Sequence, residues 1–463
     1  MGLMGRLRDS IINWLGIDGQ YSDSRQRARL TSMALNADYY FGYHRPQFKI
    51  RVGQANDNIA LNFIKLVIDR SVSLMLGSGI EFDLPGEAES PNQVYIDDVW
   101  ASNRKDILLQ NQARNGGMYG TCFMKIMPEA IESRARPGVF LPRLVSLNPL
   151  HWTIETEQED IEKVIRYIGR FNIMGPAGSE VARKQVVERV LSADGDVVSW
   201  TVTDYMTNSS GAWELMFEPQ DWLYPFAPIV HWQNIPNPMD CYGMPDVDES
   251  GIALQDRINF IASNISKIIR YHAHPKTIAT GVGVADTLSM SPDQLIRLSS
   301  ADGKIYNLEM TSDLASSMAY LTTLRQSLFD IAQTVDLTSI TDKLGTLTNF
   351  GLRVLYLDAL AKLGAKREVW EDGLTDLNHR LLVLAGIKPD DGGAVEWPDV
   401  LPANETEHAA ELKFQLDYGL VSKETVSKNY GFDYENESQL ISAEKAAGDN
   451  VGSMILQAFS QGK

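Results

Sequence analysis

Apolar residues recur every three or four positions over long stretches of this chain, and every second position over one stretch. Leu7, Ile11, Ile12 and Leu15 give residues 4–16 a single apolar side, the pattern of a short amphipathic helix. Ile59, Phe63, Leu66, Val67, Val72 and Met75 predict a helix over residues 58–76, stopped by Gly77-Ser78-Gly79. A second helix is expected over 92–119. Between residues 121 and 226 the period turns toward two. Residues 164–173, 185–191 and 197–204 read as strands, and Asp194-Gly195 supplies a hairpin turn between the last two. The order implies an antiparallel sheet beside the helices. Pro225, Pro228, Pro236, Pro238 and Pro245 make residues 222–246 a rigid, irregular crossing.

After the crossing the pattern is helical again. Leu254, Ile258, Ile261, Ile265 and Ile268 form one stripe of a helix over 248–272, and Pro275 ends it. Leu314, Met318, Leu321, Leu328, Ile331 and Val335 repeat the device over 312–335, with Arg325 interrupting the stripe. The compact insertion between them has strand-like pieces at 276–282 and 304–309. Between those pieces lies the helix-start sequence Ser291-Pro292-Asp293-Gln294: a serine cap, a proline at the first helical position and a glutamine to close a capping box. Residues 336–349 are polar, Thr-rich and aperiodic. A third long helical segment is expected over 350–385, with bends at Gly364 and Gly373, because glycine weakens a helix interior by about 1 kcal/mol. Residues 389–402 are poor in helix formers, and two or three short acidic helices follow from Asn404.

At 463 residues the chain exceeds one compact domain, and two to four structural units are expected. The composition, 44% hydrophobic and 22% charged, is that of a globular protein. Forty-two basic side chains face 60 acidic ones, a net charge of −18. Binding to phosphates needs clustered Lys and Arg, so a chain this acidic that handles DNA contacts it loosely or at a few local positions. Cys122 and Cys241 read as two buried thiols, with no disulfide framework and no CxxC pair. The first 17 residues lack an apolar stretch of signal-peptide or membrane-spanning length, so a soluble fold made in a reducing cytoplasm is expected.

The common catalytic motifs are missing from the sequence. It contains no P-loop, G-x-S-x-G elbow, H-E-x-x-H helix or EF-hand loop. His272 and His274 can form a metal pair, but they stand at a helix end with no cysteine or carboxylate cluster beside them. A helix C-terminus favours histidine for its charge alone. The acid pairs Asp390-Asp391 and Asp246/Asp248 are of a kind expected by chance among 60 acids. Tyr39, Tyr40, Phe41 and Tyr43 near Arg45 are read as packing of an N-terminal helix end onto the sheet, since no basic stripe interleaves them as a stacking platform requires.

Several local strings, in their order, resemble the portal proteins of tailed bacteriophages, in the siphophage-type branch. They are Tyr39-Tyr40-Phe41-Gly42, the 58–79 helix ending in Leu76-Gly77-Ser78-Gly79, and Tyr119-Gly120-Thr121-Cys122-Phe123-Met124-Lys125-Ile126. Pro228-Ile229-Val230-His231-Trp232 with Gly243, and Gly419-Leu420-Val421-Ser422-Lys423-Glu424-Thr425, complete the set. The resemblance implies a mainly helical α+β portal fold assembled as a ring, usually of twelve, around a central channel. By position, residues 1–246 would be the wing, 247–274 and 312–335 the two stem helices, and 275–311 the clip. Residues 336–349 would be the tunnel loop, 350–388 a long bent wing helix, and 389–463 an acidic crown holding 14 acids and 5 bases.

The same resemblance assigns expected roles. Thr338, Thr341, Asp342, Lys343, Thr346 and Asn349 would face the channel, with Lys343 the candidate phosphate contact or, equally, a partner of Asp342 or of an acid on the next subunit. Leu254, Ile258, Ile261, Ile265, Ile268, Leu314, Met318, Leu321 and Leu328 would make stem contacts between subunits. Lys276, Asp293, Gln294, Arg297 and Lys304 would meet terminase or adaptor at the clip. Expected partners are a homododecamer, double-stranded DNA passing without sequence specificity, the terminase large subunit, major capsid and scaffold proteins, and a neck or adaptor protein. No membrane, cofactor, metal or catalysis is expected. The place would be the portal vertex of the virion, after assembly in the host cytoplasm. The rival readings are a metal-dependent nucleic-acid-processing enzyme and another phage head or neck structural protein.

Overall fold

The elements of the chain follow its caps and its turns. The computed structural model describes residues 24–49, 56–86, 90–174, 180–208, 211–273, 276–280, 304–308, 314–336, 349–387, 392–400, 412–429, 431 and 433–442. The expected helix over 4–16 lies outside them. The chain divides into two units, residues 1–344 with 355–398, and residues 345–354 with 399–463.

In the first unit, helix α1 spans Ser24–Tyr40 and α2 spans Phe63–Leu76. Strand β1 (Glu81–Asp83) is followed by α3 (Pro91–Ser102) and α4 (Lys105–Tyr119). Ser90 caps α3 by accepting the Gln93 amide, with Pro91 at the first turn. The single helix expected over 92–119 is thus two. Asn103 makes the break: its amide donates to the Val99 and Pro142 carbonyls at 2.8 and 3.0 Å, its oxygen accepts from Leu144 N at 2.8 Å, and Arg104 takes a left-handed φ of 58°.

Strands β2 (Thr121–Glu132), β3 (Phe140–Ser146) and β10 (Ile229–Gln233) form a three-stranded antiparallel sheet with β2 at its centre. A six-stranded antiparallel sheet holds β4 (Trp152–Thr156), β5 (Val164–Met174), β6 (Glu180–Leu191), β7 (Val197–Thr207), β8 (Trp213–Leu215) and β9 (Gln220–Trp222), the last two both on β7. Gly195, at φ 91°, turns the β6–β7 hairpin as its sequence predicts. The 222–246 crossing, expected to be irregular, contains β10, because Pro236 lies beyond the strand and Pro228, at its start, contributes only a carbonyl, to the Ile126 amide at 2.8 Å. Gly120 closes α4 at φ 80°, and a Cβ there would lie 2.4 Å from the Gly243 carbonyl oxygen. That close approach accounts for both glycines.

Helix α5 (Glu249–Ala273), the short antiparallel pair β11 (Lys276–Thr280) and β12 (Lys304–Leu308), and α6 (Leu314–Ile331) follow in order, and α5 packs on α6. Helix α7 (Asn349–Leu355) ends just before α8 (Leu357–Leu384). The break falls at Tyr356, and α8 continues through both Gly364 and Gly373, where bends were expected. Gly373 is instead a contact: a Cβ would come within 2.7 Å of the Trp232 ring, which packs edge-on against Trp370. Strand β13 (Ala394–Glu396) pairs with β1. The fold is mixed α+β, and no helix among the described residues is long and apolar enough to cross a membrane. In the second unit, Gly419 (φ 68°) stops a helical turn at 412–417, and Ser422 caps α9 (Lys423–Asn429) by accepting the Thr425 amide.

Two further readings change. Cys122 is buried, but Cys241 is only half-buried. The Tyr39 and Tyr40 hydroxyls donate to Asp256 on α5 at 2.5 Å and to Asp69 on α2 at 2.9 Å, so that helix end packs on helices and not on the sheet; Phe41 and Tyr43 are exposed.

Helix α2 starts five residues later than its apolar pattern suggests. The cause is on α5, where Gln255, Asn259 and Ser263 stand at i, i+4 and i+8 and are buried. Their side-chain oxygens accept the backbone amides of Phe63, Leu61 and Ile59 at 3.0, 2.9 and 2.9 Å, and the Gln255 amide returns a bond to the Leu61 carbonyl at 2.6 Å. One helix face thus serves residues 59–63 as a neighbouring strand would. His44 completes the row, its Nδ1 accepting from Asn259 Nδ2 at 2.7 Å while Nε2 meets the Tyr39 carbonyl at 3.2 Å. Burial lowers the His44 pKa, which keeps it neutral for this role. Asn259→Leu is expected to destabilise the fold by about 1–3 kcal/mol, since it strands the Leu61 amide; urea melts of the two proteins measure the difference, and equal midpoints would show that the row carries no weight.

Candidate functional site

The two stem-like helices carry a stripe that their own chain covers only in part. Ile258, Ile265 and Leu328 are buried, while Leu254, Ile261, Ile268, Leu314 and Leu321 are half-buried and Met318 is 51% exposed. Ile269, Tyr320 and Ile331 add exposed apolar surface to the same pair of helices. Lys276 and Lys304 stand at opposite ends of the β11–β12 ladder, opposite Leu308 and Thr280 respectively. Asp293, Gln294 and Arg297 lie outside the described residues. So do Thr338, Thr341, Asp342, Lys343 and Thr346; Asn349 is the first residue of α7.

The root of that polar loop is well defined. Helix α6 ends in a Schellman turn, with Thr334 N bonded to the Phe329 carbonyl at 2.9 Å, Gln333 N to the Asp330 carbonyl at 3.0 Å, and Gln333 left-handed at φ 51°. Three cations then hold the chain. Lys362 Nζ donates to the Ala332 carbonyl at 2.9 Å, Arg70 to the Val335 carbonyl at 2.8 Å, and Arg325 to the Asp336 carboxylate at 2.7 Å.

Lys362 connects this root to a buried charge node. It also donates to the Asp246 carbonyl at 3.0 Å, and the Asp246 carboxylate takes Lys366 Nζ at 2.9 Å and Asn234 Nδ2 at 3.2 Å. Lys366 donates further to Ser71 Oγ at 3.0 Å on α2, and Asp246 N reaches the Gly117 carbonyl at 2.9 Å. Both Asp246 and Lys366 are removed from solvent. Burial alone would raise the Asp246 pKa, but the charges of Lys366 and Lys362 and the hydrogen bonds outweigh it and hold the group at about 2. Burial also lowers the pKa of Lys362. The node therefore joins the chain just before α5, the end of α6, α8 and α2 through the carboxylate and the main-chain carbonyl of one residue, Asp246.

Neither the node nor the Gln255–Asn259–Ser263 row was singled out from sequence. Lys366 follows Leu363 by three and precedes Trp370 by four, a cation at a core position of an apolar stripe, and that spacing was the available signal. Asp246 appeared only as half of a chance acid pair. Among the described residues no group of three or more His, Cys, Asp or Glu side chains is arranged to hold a metal.

Among the described residues, α5 and α6 thus carry an incompletely covered apolar stripe, a two-stranded ladder lies between them in sequence, and residues 332–336 are tied down by three cations. The chain belongs to the phage portal protein family, SPP1 Gp6-like, which it matches over residues 20–165 and 245–450. No curated protein matches it. The two matched segments take in α1 to α4, both stem-like helices, α8 and the short helices of the second unit, and they leave out most of the six-stranded sheet.

Lys366→Met leaves Asp246 buried beside Asn234 and the more distant Lys362, at 3.8 Å, and is expected to cost about 3–5 kcal/mol. Asp246→Asn in the same chain recovers part of that loss, which a double-mutant cycle measures. A carboxylate with a lowered folded pKa contributes stability that is present above its unfolded value near 3.8 and disappears as pH falls through about 2. Acid unfolding of the native chain should therefore steepen between about pH 4 and 2, and Asp246→Asn should flatten it by on the order of 2 kcal/mol. Gln333→Gly relieves the left-handed turn and is expected to raise stability by about 0.5–1 kcal/mol in thermal melts.

Proposed function

We propose that this phage portal protein assembles into a ring, with twelve copies the expected number, whose central channel carries double-stranded DNA into and out of the capsid at one vertex. The observation that carries the reading is the apolar stripe of α5 and α6, left half-covered in a single chain of a portal family. Such a stripe finds cover on ring neighbours. Residues 1–246 then form the wing with the helix over 350–388, residues 247–274 and 312–335 the stem, 275–311 the clip, 336–349 the tunnel loop and 389–463 the crown.

The clip, through Lys276, Asp293, Gln294, Arg297 and Lys304, would dock the terminase large subunit during packaging and a neck or adaptor protein afterwards. Hydrolysis of ATP belongs to the terminase, and the ring itself catalyses nothing. Capsid and scaffold proteins would meet its outside, after assembly in the host cytoplasm. An excess of 18 negative charges per chain makes walls that repel the duplex. Thr338, Thr341, Asp342, Thr346 and Asn349 at the constriction suit passage without sequence preference, and Lys343 gives one local phosphate contact per subunit.

Light scattering of the purified chain, followed by negative-stain images, tests the assembly. The expected particle is a ring of about 620 kDa, twelve copies of 51.6 kDa, with a central hole. Ile261→Asp is expected to lower the ring fraction while the isolated chain keeps its melting temperature, since Ile261 is only half-buried within its own chain. A variant that assembles normally removes the stem from the interface. Lys343→Ala is expected to change packaging or retention of DNA in assembled particles; unchanged values for both would sink the phosphate contact.

A further inference from the structure

The row that binds residues 59–63 to α5 ends on a titratable group. Asn259 Oδ1 accepts from Leu61 N at 2.9 Å and from Gln255 Nε2 at 3.1 Å, which leaves its Nδ2 to face the ring of His44. That Nδ2 lies 2.7 Å from His44 Nδ1, and His44 Nε2 lies 3.2 Å from the Tyr39 carbonyl. An amide nitrogen only donates and a carbonyl only accepts, so Nδ1 is bare and the single ring proton sits on Nε2. The ring is thus held neutral, in one tautomer, from both sides. His44 is half-buried, and Asn58 steadies the segment that follows it by bonding the Phe48 amide and carbonyl at 2.7 and 3.0 Å.

A second ring proton breaks this arrangement. Its Nδ1–H would meet the Asn259 amide at 2.7 Å, donor against donor. Turning the Asn259 amide over cures that contact and moves the conflict to its other side, where Leu61 N and Gln255 Nε2 are both donors. Either way the Leu61 amide loses its acceptor. Nearby charge compensates the imidazolium only weakly. Asp256 of α5 is the acid that bears on the ring, but its carboxylate already takes the Tyr39 hydroxyl and lies 3.7 Å from Arg45, and both ring nitrogens are aimed elsewhere. From α1 the Tyr39 ring stacks on His44 at 4.8 Å, its hydroxyl kept protonated by burial, and from the cap of α2 comes the uncharged Asn62 amide. Burial outweighs all of these and sets the His44 pKa below its ordinary 6.5. We propose that His44 is a proton-operated latch on this row: neutral, it holds residues 59–63 against α5, and protonated, it releases them. The latch belongs to the single chain and does not depend on the ring. Because the row sets the direction of the α5 apolar stripe, release would free that helix to turn about its axis.

Hydrogen exchange on the full chain tests the latch between pH 7.5 and 5, read by mass spectrometry on a peptide covering residues 58–64 and expressed as protection relative to the free peptide. A released imidazole takes its proton near 6.5 and a latched one only at lower pH, so the closed form is fully favoured above 6.5 and loses ground as pH falls below it. Protection should fall about tenfold by pH 5, with about thirtyfold the ceiling that proton linkage allows. His44→Gln offers an acceptor and a donor that do not titrate, and its protection should stay constant over the range. Asn259→Asp still accepts from Leu61 and turns a carboxylate to the imidazolium, so it should keep its protection at pH 5. A native profile that stays flat, a His44→Gln profile that falls as the native one does, or a native-sized loss in Asn259→Asp overturns the latch. If His44→Gln does not fold, the Asn259→Asp profile decides. An equal loss in peptides from α8 marks unfolding of the whole chain and overturns the latch as well.

Discussion

The buried ion pair of Asp246 and Lys366 is the constraint on which the rest of the architecture depends. Removing both charges from water costs several kcal/mol each, and their mutual attraction repays this only where the remaining hydrogen-bonding positions are filled. Here Lys366 also donates to Ser71 on α2 and the Asp246 carboxylate also accepts from Asn234 in the turn after β10, with the Lys362 ammonium, one turn earlier in α8, 3.8 Å away, while the Asp246 backbone is held by the Gly117 carbonyl of α4 and by Lys362. The pair works as a geometric lock more than as a source of stability. Lys362 extends the lock, because its ammonium is shared by the carbonyl of Asp246, three residues before α5, and that of Ala332, just after α6. The beginning of one stem-like helix and the end of the other thus answer to the same cation.

The second fixed relation is the side-chain ladder from α5 to residues 59–63. An extended segment with unpaired amides usually needs a strand beside it, and here a helix face supplies the acceptors at four-residue spacing. A helix used in this way cannot rotate about its axis without stranding three amides. Its apolar stripe is therefore aimed in one direction, with Ile258 and Ile265 against the chain and part of the rest left outward. Polar register on one side of α5 sets what the apolar side presents.

The parts of the fold that were legible in the sequence are those governed by local periodicity. The β5, β6 and β7 strands, the Gly195 turn and the two long helices α5 and α6 were readable because apolar spacing and a turn residue decide them within a few positions. The errors came where a distant group overrode the local pattern. Residues 58–62 have helical spacing, but the Ile59 and Leu61 amides are taken by α5, and the 92–119 helix breaks because Asn103 bonds to β3. The site was harder. An apolar stripe announces itself by repetition, whereas a buried Lys366 is one position whose meaning depends on an aspartate 120 residues earlier. Apolar burial is a pattern, and polar burial is a pairing.

On the ring reading, the α5–α6 pair and the stretch after α6 meet opposite demands in one chain, with different physics. Contacts between copies along α5 and α6 would rest on apolar area, which salt does not screen. Any contact of an acidic channel with DNA would rest on a few local charges, which salt weakens steeply. On the ring reading this separation is what allows a tight assembly to hold a loosely touched duplex. The node stands where the two demands meet. It fixes the ends of both helices while three cations, Lys362, Arg70 and Arg325, spend their charge on the loop root, on the carbonyls of Ala332 and Val335 and the carboxylate of Asp336. Positive charge committed inward in this way is withheld from phosphate, so on the ring reading the same three cations that hold residues 332–336 would also leave little charge there to bind DNA.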